Sequence, residues 1–316
     1  MRIFIAGGTG AVGTRMVPLL VAAGHQVYGS TRHDAGCERL AAMGANGVVM
    51  DPLDADSVRV AVAVAKPEVV VHQLTALGSL SGNLKKWDEE FAVTNRLRTE
   101  ATDHLMAAAR ANGVRRVVAQ SFGGGWTLER TGGWVKDETA PLIADPGKEA
   151  RATLAAIRHL EEAVTAPEAG VEGLVLRYGN FYGPGNATSR EGAIGELLRK
   201  GRMPVVGGGT GVWSFVHIDD VASATVAAIE RGAPGIYNIV DDEPAPVNQW
   251  MPHLAEQVGG RTPMRLPAWL ARPMIGEFGV AVMTSVRGSS NAKAKQELGW
   301  SPSYATWRDG FRTGIG

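Results

Sequence analysis

Three glycines near the head of the chain have the spacing of a phosphate cradle. Gly7, Gly10 and Gly13 lie in Gly7-Gly8-Thr9-Gly10-Ala11-Val12-Gly13, between the apolar run Arg2–Ala6 and a helical pattern, Gly10–Ala23, whose Val12, Met16, Leu19 and Leu20 share a face. One glycine permits a tight turn and another lets backbone N–H groups approach a pyrophosphate. The third lets the helix pack close on a sheet, with its N-terminus facing the anion. That arrangement points to a nicotinamide dinucleotide, with Thr9, Ala11 and Val12 completing the loop. The second apolar run ends in Gly29-Ser30-Thr31-Arg32-His33, with no carboxylate before Asp34. An acid there would accept from a ribose 2′-hydroxyl and mark NAD, whereas the planar fork of Arg32 suits the extra phosphate of NADP. NADP is the expected cofactor and NAD the alternative.

The elements that must hold this loop alternate along the chain. Arg2–Ala6, His25–Ser30, Val48–Met50, Glu68–His72, Val114–Gln120 and Leu174–Arg177 read as strands. Helical patterns fall between them, at Gly10–Ala23, from Asp54 to Ala65, at Asn95–Ala111 and at Glu149–Ala166. Such alternation predicts crossover units and a parallel sheet covered on both faces, an α/β architecture. The stretch from Phe122 to Gly147 is rich in Gly and Pro and weakly periodic, the mark of a functional segment. Beyond Tyr178, proline-punctuated helices at Val247–Val258, Leu266–Ile275 and Asn291–Leu298 read as a smaller lobe.

Composition removes several classes. Lys+Arg and Asp+Glu each number 32 in 316 residues, so no net charge draws the chain to nucleic acid or an anionic membrane. Cys37 is the only cysteine, which leaves no intrachain disulfide and no thiolate metal cluster. No metal site is expected, and a cytoplasmic setting is. Met1–Ala6 is too short an apolar run for a signal peptide, and no stretch reaches the roughly 18 apolar residues of a membrane span.

The chain resembles the extended short-chain dehydrogenase/reductases, also called NAD-dependent epimerase/dehydratases. Beside the glycine loop, the resemblance rests on Asp51-Pro52-Leu53, on Val71-His72-Gln73-Leu74-Thr75-Ala76 and on Leu176-Arg177-Tyr178-Gly179-Asn180-Phe181-Tyr182-Gly183-Pro184-Gly185. Two later stretches add to it, Phe215-Val216-His217-Ile218-Asp219-Asp220-Val221-Ala222 and Lys293-Ala294-Lys295-Gln296-Glu297-Leu298-Gly299-Trp300. It implies a Rossmann-type doubly wound parallel sheet with a smaller, interleaved C-terminal substrate-binding lobe. Residues 1–177 would form the dinucleotide-binding domain, with 213–240 returning to it, and 178–316 mainly the lobe. Asp51 and Leu53 would lie beside the adenine, Leu74, Thr75 and Ala76 would line the cofactor, and Tyr178, Gly179 and Asn180 would form the nicotinamide side. A homodimer through Asn95–Ala111 and Glu149–Ala166 is also implied. His72 and His217 are expected as packing residues, and Asp219 or Asp220 as a helix N-cap before Val221–Ile229.

The departures from the family are informative. Its members typically carry a Tyr four residues before a Lys on the helix after the fifth-strand loop, and a Ser or Thr just after that strand. The phenol moves the proton of the reacting oxygen, the ammonium lowers its pKa and holds the ribose, and the hydroxyl polarises the carbonyl. Here one register puts Thr153 and Ile157 at the pair, and the other puts Leu154 and Arg158. No Tyr lies between Tyr28 and Tyr178. Ser121 or Phe122 stands at the hydroxyl site, and Trp213 stands near the Arg with which sugar-nucleotide members grip diphosphate. With Trp126, Trp134 and Phe181 plausible neighbours, a less charged, aromatic substrate is expected.

The reading is therefore an atypical NAD(P)-dependent oxidoreductase acting on a small aromatic carbonyl or enone compound. Ser121, Tyr178 and Arg158 are its candidate catalytic residues. An epimerase or dehydratase without net redox change and a catalytically silent dinucleotide sensor are the alternatives.

Overall fold

Seven short runs rich in Val and Ile form the strands of one sheet: β1 (Arg2–Ala6), β2 (Gln26–Thr31), β3 (Asn46–Val49), β4 (Val69–His72), β5 (Arg116–Phe122), β6 (Glu172–Tyr178) and β7 (Gly235–Ile239). The computed structural model describes residues 1–78, 82–123, 127–167 and 170–315. The order across the sheet is β3-β2-β1-β4-β5-β6-β7, and every pairing is parallel. The chain reverses direction across the sheet between β1 and β4, where the carboxyl ends of the strands open a crevice for a ligand.

Helices cover both faces. They are α1 (Gly13–Ala22), α2 (Asp34–Ala42), α3 (Ala55–Ala65), α4 (Ala92–Arg98), α5 (Glu100–Ala111), α6 (Arg151–Thr165) and α7 (Ile218–Glu230). Alternation along β1 divides the core. Ile3 and Ile5 pack with Met16 and Leu20 of α1, Leu40 of α2 and Val221 of α7. Phe4 and Ala6 pack on the other side with Val58 and Val62 of α3, Leu105 of α5 and Leu160 of α6. Strand β7 pairs with β6, so residues beyond Tyr178 rejoin the sheet. The lobe has its own core of Tyr182, Phe215, Trp250, Trp307 and Phe311, built largely on α8 (Val247–Gln257) and the helix Trp307–Thr313.

Local chemistry sets the boundaries. Asp54 caps α3 by accepting from the amides of Asp56 and Ser57, and Lys66 ends it in the left-handed region before Pro67. Asn95–Ala111 is not one helix. At Thr99 the backbone leaves helical geometry (φ −100°, ψ −80°) and the hydroxyl donates back to the Asn95 carbonyl, so α4 and α5 are separate. Leu266–Ile275 proves to be the first part of a longer helix, α9 (Ala268–Thr284), kinked at Gly276 (φ 75°, ψ 178°). A Cβ at Gly276 would lie 2.7 Å from Oε1 of Glu149, so the kink admits a carboxylate that any side chain would displace. The cap of α7 is His217, whose Nδ1 accepts from the Asp219 amide. Neither aspartate caps it: Asp219 pairs with Arg15, and Asp220 accepts from the amides of Ser303 and Tyr304.

Beneath α6 lies a buried ion pair. Arg177 of β6 donates from Nε and Nη2 to the two oxygens of Glu161 at 2.8 and 2.6 Å, with both side chains 5% exposed or less. The Ser121 hydroxyl donates to the same carboxylate at 2.9 Å. Removing one partner strands a charge, whereas replacing both does not. Glu161→Gln is expected to lower unfolding free energy by about 3–5 kcal/mol in urea titrations, and a Glu161→Met/Arg177→Met double variant to recover most of that loss.

Candidate functional site

The glycine loop is pressed against the end of β4. Gly7 has φ +92°, and a Cβ on it would come within 3.0 Å of the Gln73 carbonyl. On Gly13 a Cβ would meet the Gly8 and Gly7 carbonyls at 2.5 and 2.6 Å. Only hydrogen fits at either place. The Gly7 amide donates to the Ser30 hydroxyl and the Gly8 amide to the Ser30 carbonyl, which ties the loop to β2. Helix α1 begins at Gly13 with no side-chain cap and no acid in its first turn, and Gly10 and Ala11 are exposed beside the half-buried Thr9. An uncapped helix start with close backbone approach suits a pyrophosphate. These residues fit a dinucleotide.

Around that loop, the expected adenosine residues take surface positions. Arg32 is exposed at the end of β2. Asp51 is exposed too, and its carboxylate accepts from the Leu53 amide at 2.9 Å. Leu74, Thr75 and Ala76 follow β4, each half-buried. Their backbone is held by neighbours: Leu74 donates to His72 Nδ1, and Ala76 donates to the Thr94 hydroxyl at 3.0 Å. Beyond β6, Gly179 is buried against the Ser214 carbonyl, and Asn180 donates to that carbonyl at 2.9 Å. Arg15, which sequence reasoning passed over, bridges the Ala11 carbonyl, the Pro184 carbonyl and Asp219. It thereby ties the glycine loop to the segment after β6. Its place three residues beyond Val12, on the polar side of an amphipathic helix, was the only signal available.

Ser121, Tyr178 and Arg158 are not brought together. Ser121 faces α6 and donates a hydrogen bond to Glu161. Tyr178 faces the opposite side of the sheet, where Gln73 donates to its hydroxyl at 2.8 Å and Thr225 of α7 shares a hydrogen bond of 2.7 Å. Burial pushes its pKa up to about 12. Arg158 lies on the exposed side of α6. On that helix Thr153, Leu154, Ala156, Ile157, Leu160, Glu161 and Val164 are buried. The register that places Thr153 and Ile157 where the phenol and the ammonium would stand has both positions buried, whereas the other pairs buried Leu154 with exposed Arg158. The Thr153 hydroxyl donates to Asp88 at 2.7 Å and accepts from Asn95 of α4 at 3.1 Å, and Asp88 also accepts from the amides of Ala152 and Thr153.

Ile157 belongs to an apolar box with Ala150, Phe278, Val282 and Val286, against which Leu84, Trp87, Phe122 and Trp213 pack. Trp213 donates from its indole to the Val282 carbonyl at 2.9 Å. Phe122, Ile157 and Trp213 thus share one apolar cluster. Nothing local in the sequence could reveal this, because the box draws on β5, α6, α9 and a loop strand. Phe181 instead tilts against Tyr178, with ring centroids 5.7 Å apart, and Trp134 is exposed. Trp126 lies outside the described residues.

Both histidines are structural. His72 donates from Nε2 to the Leu97 carbonyl and accepts at Nδ1 from Leu74. Its burial lowers its pKa from 6.5 to about 4. The unfolded chain therefore binds the extra proton first. Between pH 6.5 and 4 this residue makes stability fall as pH falls, with a slope approaching about 1.4 kcal/mol per unit. Urea unfolding at stepped pH checks this, and His72→Gln should flatten that segment. Among the described residues, no cluster of three His, Cys, Asp or Glu could hold a metal, and no helix is long and apolar enough to cross a membrane.

Comparison with known proteins places this geometry. The model of the NAD dependent epimerase/dehydratase family matches residues 3–240. A 3-diazoavenalumate denitrifying reductase of a Streptomyces species is 45% identical over 312 residues, covering 98% of this chain and 99% of that protein. A 2-alkyl-3-oxoalkanoate reductase of Stenotrophomonas maltophilia is 29% identical over 273 residues, covering 82% of this chain and 76% of the relative. Among solved structures, the UDP-glucose 4-epimerase of Thermus thermophilus in complex with NAD superposes with a TM-score of 0.74 at 25% identity, covering 100% of this chain and 98% of that one.

Proposed function

The chain belongs to the NAD-dependent epimerase/dehydratase family, and from that premise we propose that it reduces an aryl diazonium by hydride transfer alone. The observation that supports this is the apolar box, in which Ile157 stands where the ammonium would and Phe122 and Trp213 pack against it, while the Thr153 hydroxyl at the phenol position is engaged by Asp88 and Asn95. A carbonyl that accepts hydride becomes an alkoxide and must be protonated. A diazonium makes no such demand. When bound, a reduced nicotinamide would supply the hydride that forms the C–H bond at the ring carbon and would itself be oxidised, while dinitrogen would leave with the C–N bonding pair, so no proton would be taken up.

The chain's own residues then have three tasks. Gly7, Gly10 and Gly13 seat the dinucleotide against β4. The aromatic rings at the box hold a planar cation, an attraction of about 0.5–2 kcal/mol per well-placed ring. The apolar walls keep out water, which would otherwise compete with hydride for the cationic carbon. The name of the Streptomyces relative, a denitrifying reductase of a diazo compound, accords with this substrate class.

Carbonyl or enone reduction is the second reading, favoured by the name of the Stenotrophomonas relative. It would need a proton from solvent, since the hydroxyls of Ser121 and Tyr178 are both engaged. An epimerase has a stronger need for a base, and the box offers none.

Turnover of NADPH, 4-deuterated at the transferred position, should be followed against an aryl diazonium salt, an aryl ketone and an enone, with enzyme-free controls. Expected are dinitrogen release stoichiometric with NADPH oxidation, deuterium at the former C–N carbon and none there from heavy water, and activity surviving Tyr178→Phe. Turnover confined to the ketone or enone would establish the second reading, and tight binding without any turnover would establish the sensor.

NADP is proposed as the preferred cofactor because Arg32 is exposed at the end of β2, with no acid on that strand end. Arg32→Ala should weaken NADPH binding by about 10-fold or more while leaving NADH nearly unchanged, as expected for loss of a charged hydrogen bond. Equal weakening of both in a fluorescence titration would remove the preference.

A further inference from the structure

We propose that Arg130 and Arg287 form a receptor for a carboxylate on the substrate, so that the enzyme takes an aromatic acid rather than a neutral arene. This deepens the reading above and rests on it for the aromatic part alone.

Two arginines sit together without an acid of their own. Arg287 is 9% exposed. Its Nη1 donates to the Ser285 carbonyl and its Nη2 to the Arg130 carbonyl, while Nε is buried without a partner. Its guanidinium lies 4.0 Å from the centroid of the Trp134 ring. Arg130 is half-buried, and its Nε and Nη2 are both buried without partners. Burial lowers the pKa of each, and the nearby charge of Arg287 lowers that of Arg130 further. Asp145 acts on Arg130 in the opposite sense but gives both oxygens to Arg151, at 3.1 and 2.9 Å, and also accepts from the Gly147 amide.

Unpaired N–H donors on desolvated, mutually repelling cations are costly, and an anion relieves desolvation and repulsion together. A planar carboxylate matches the edge of a guanidinium better than a spherical ion does. The location agrees with the box. Val286, immediately before Arg287, is one of its walls with Ile157 and Phe278. Arg287 thus follows a residue of the box directly in the chain.

The test uses the full chain and cinnamate, methyl cinnamate and inorganic phosphate as probes in calorimetric titrations, with and without NADP. Cinnamate is expected to bind at least about 10-fold more tightly than its ester, the worth of one charge-assisted contact. Arg130→Met and Arg287→Met should each abolish that discrimination while NADPH affinity is unchanged. Should either fail to fold, the Lys variants keep the charge but lose the planar edge, and should show intermediate discrimination. Equal binding of acid and ester, discrimination that survives both substitutions, or phosphate binding more tightly than cinnamate would overturn the proposal. Absence of diazonium turnover with discrimination intact would instead count against the reaction and leave the receptor standing.

Discussion

Burying Arg177 in the central sheet forces much of what surrounds it. A guanidinium removed from water needs a charge of the opposite sign, and Glu161 on α6 is that charge. The pair locks the rotation of α6 against β6, because only one face of the helix can carry the carboxylate inward. Thr153 and Ile157, four residues apart on that same face, are then buried, and Arg158 is turned out. The carboxylate also accepts a hydrogen bond from the Ser121 hydroxyl, which engages a hydroxyl at the end of β5 in structure.

The same logic accounts for the other engaged polar groups. Asp88 binds two amides at the start of α6 together with the Thr153 hydroxyl, so the residue in place of a catalytic phenol serves as part of a helix cap. Tyr178 is held between Gln73 and Thr225 on the far side of the sheet. Hydrogen bonds that satisfy buried groups are worth keeping, since an orphaned donor costs more than a formed bond gains. Around the candidate reaction site, then, polarity is committed to structure. Phe122, Ile157, Trp213 and Phe278, which meet in the apolar box, carry no acid or base that could move a proton.

That division suits a family whose cofactor brings the reactive group with it. In the proposed reading, the glycine loop seats the dinucleotide and the residues opposite decide which electrophile can meet it. Replacing charged and hydroxylic side chains with rings keeps the hydride and discards the acid–base partner. In that reading, substrates that expel a good leaving group are the natural complement. The unpaired guanidinium edges of Arg130 and Arg287 mark one further polar feature beside the walls of that space.

Much of the fold was legible from residues near one another in the chain. The apolar runs of β1 and β4 and the spacing of Gly7, Gly10 and Gly13 specify strand, turn and helix through short-range sterics, as does Asp54 before α3. The missing Tyr and Lys were equally plain, because absence needs no geometry. What stayed hidden required backbone geometry or contacts that residue type and spacing alone do not fix. Thr99 dividing α4 from α5, His217 rather than an aspartate capping α7, and the kink at Gly276 each depend on a neighbour or a backbone angle that composition does not encode. By itself the sequence determined the cofactor loop and the parallel sheet, since both follow from local periodicity and steric freedom. Only the tertiary structure decided that Phe122, Ile157 and Trp213 meet in one apolar box and that Ser121, Tyr178 and Arg158 do not meet. Which side chains share a space is set by how α6, α9 and the sheet pack, through burial and the pairing of buried charge, and not by their order along the chain.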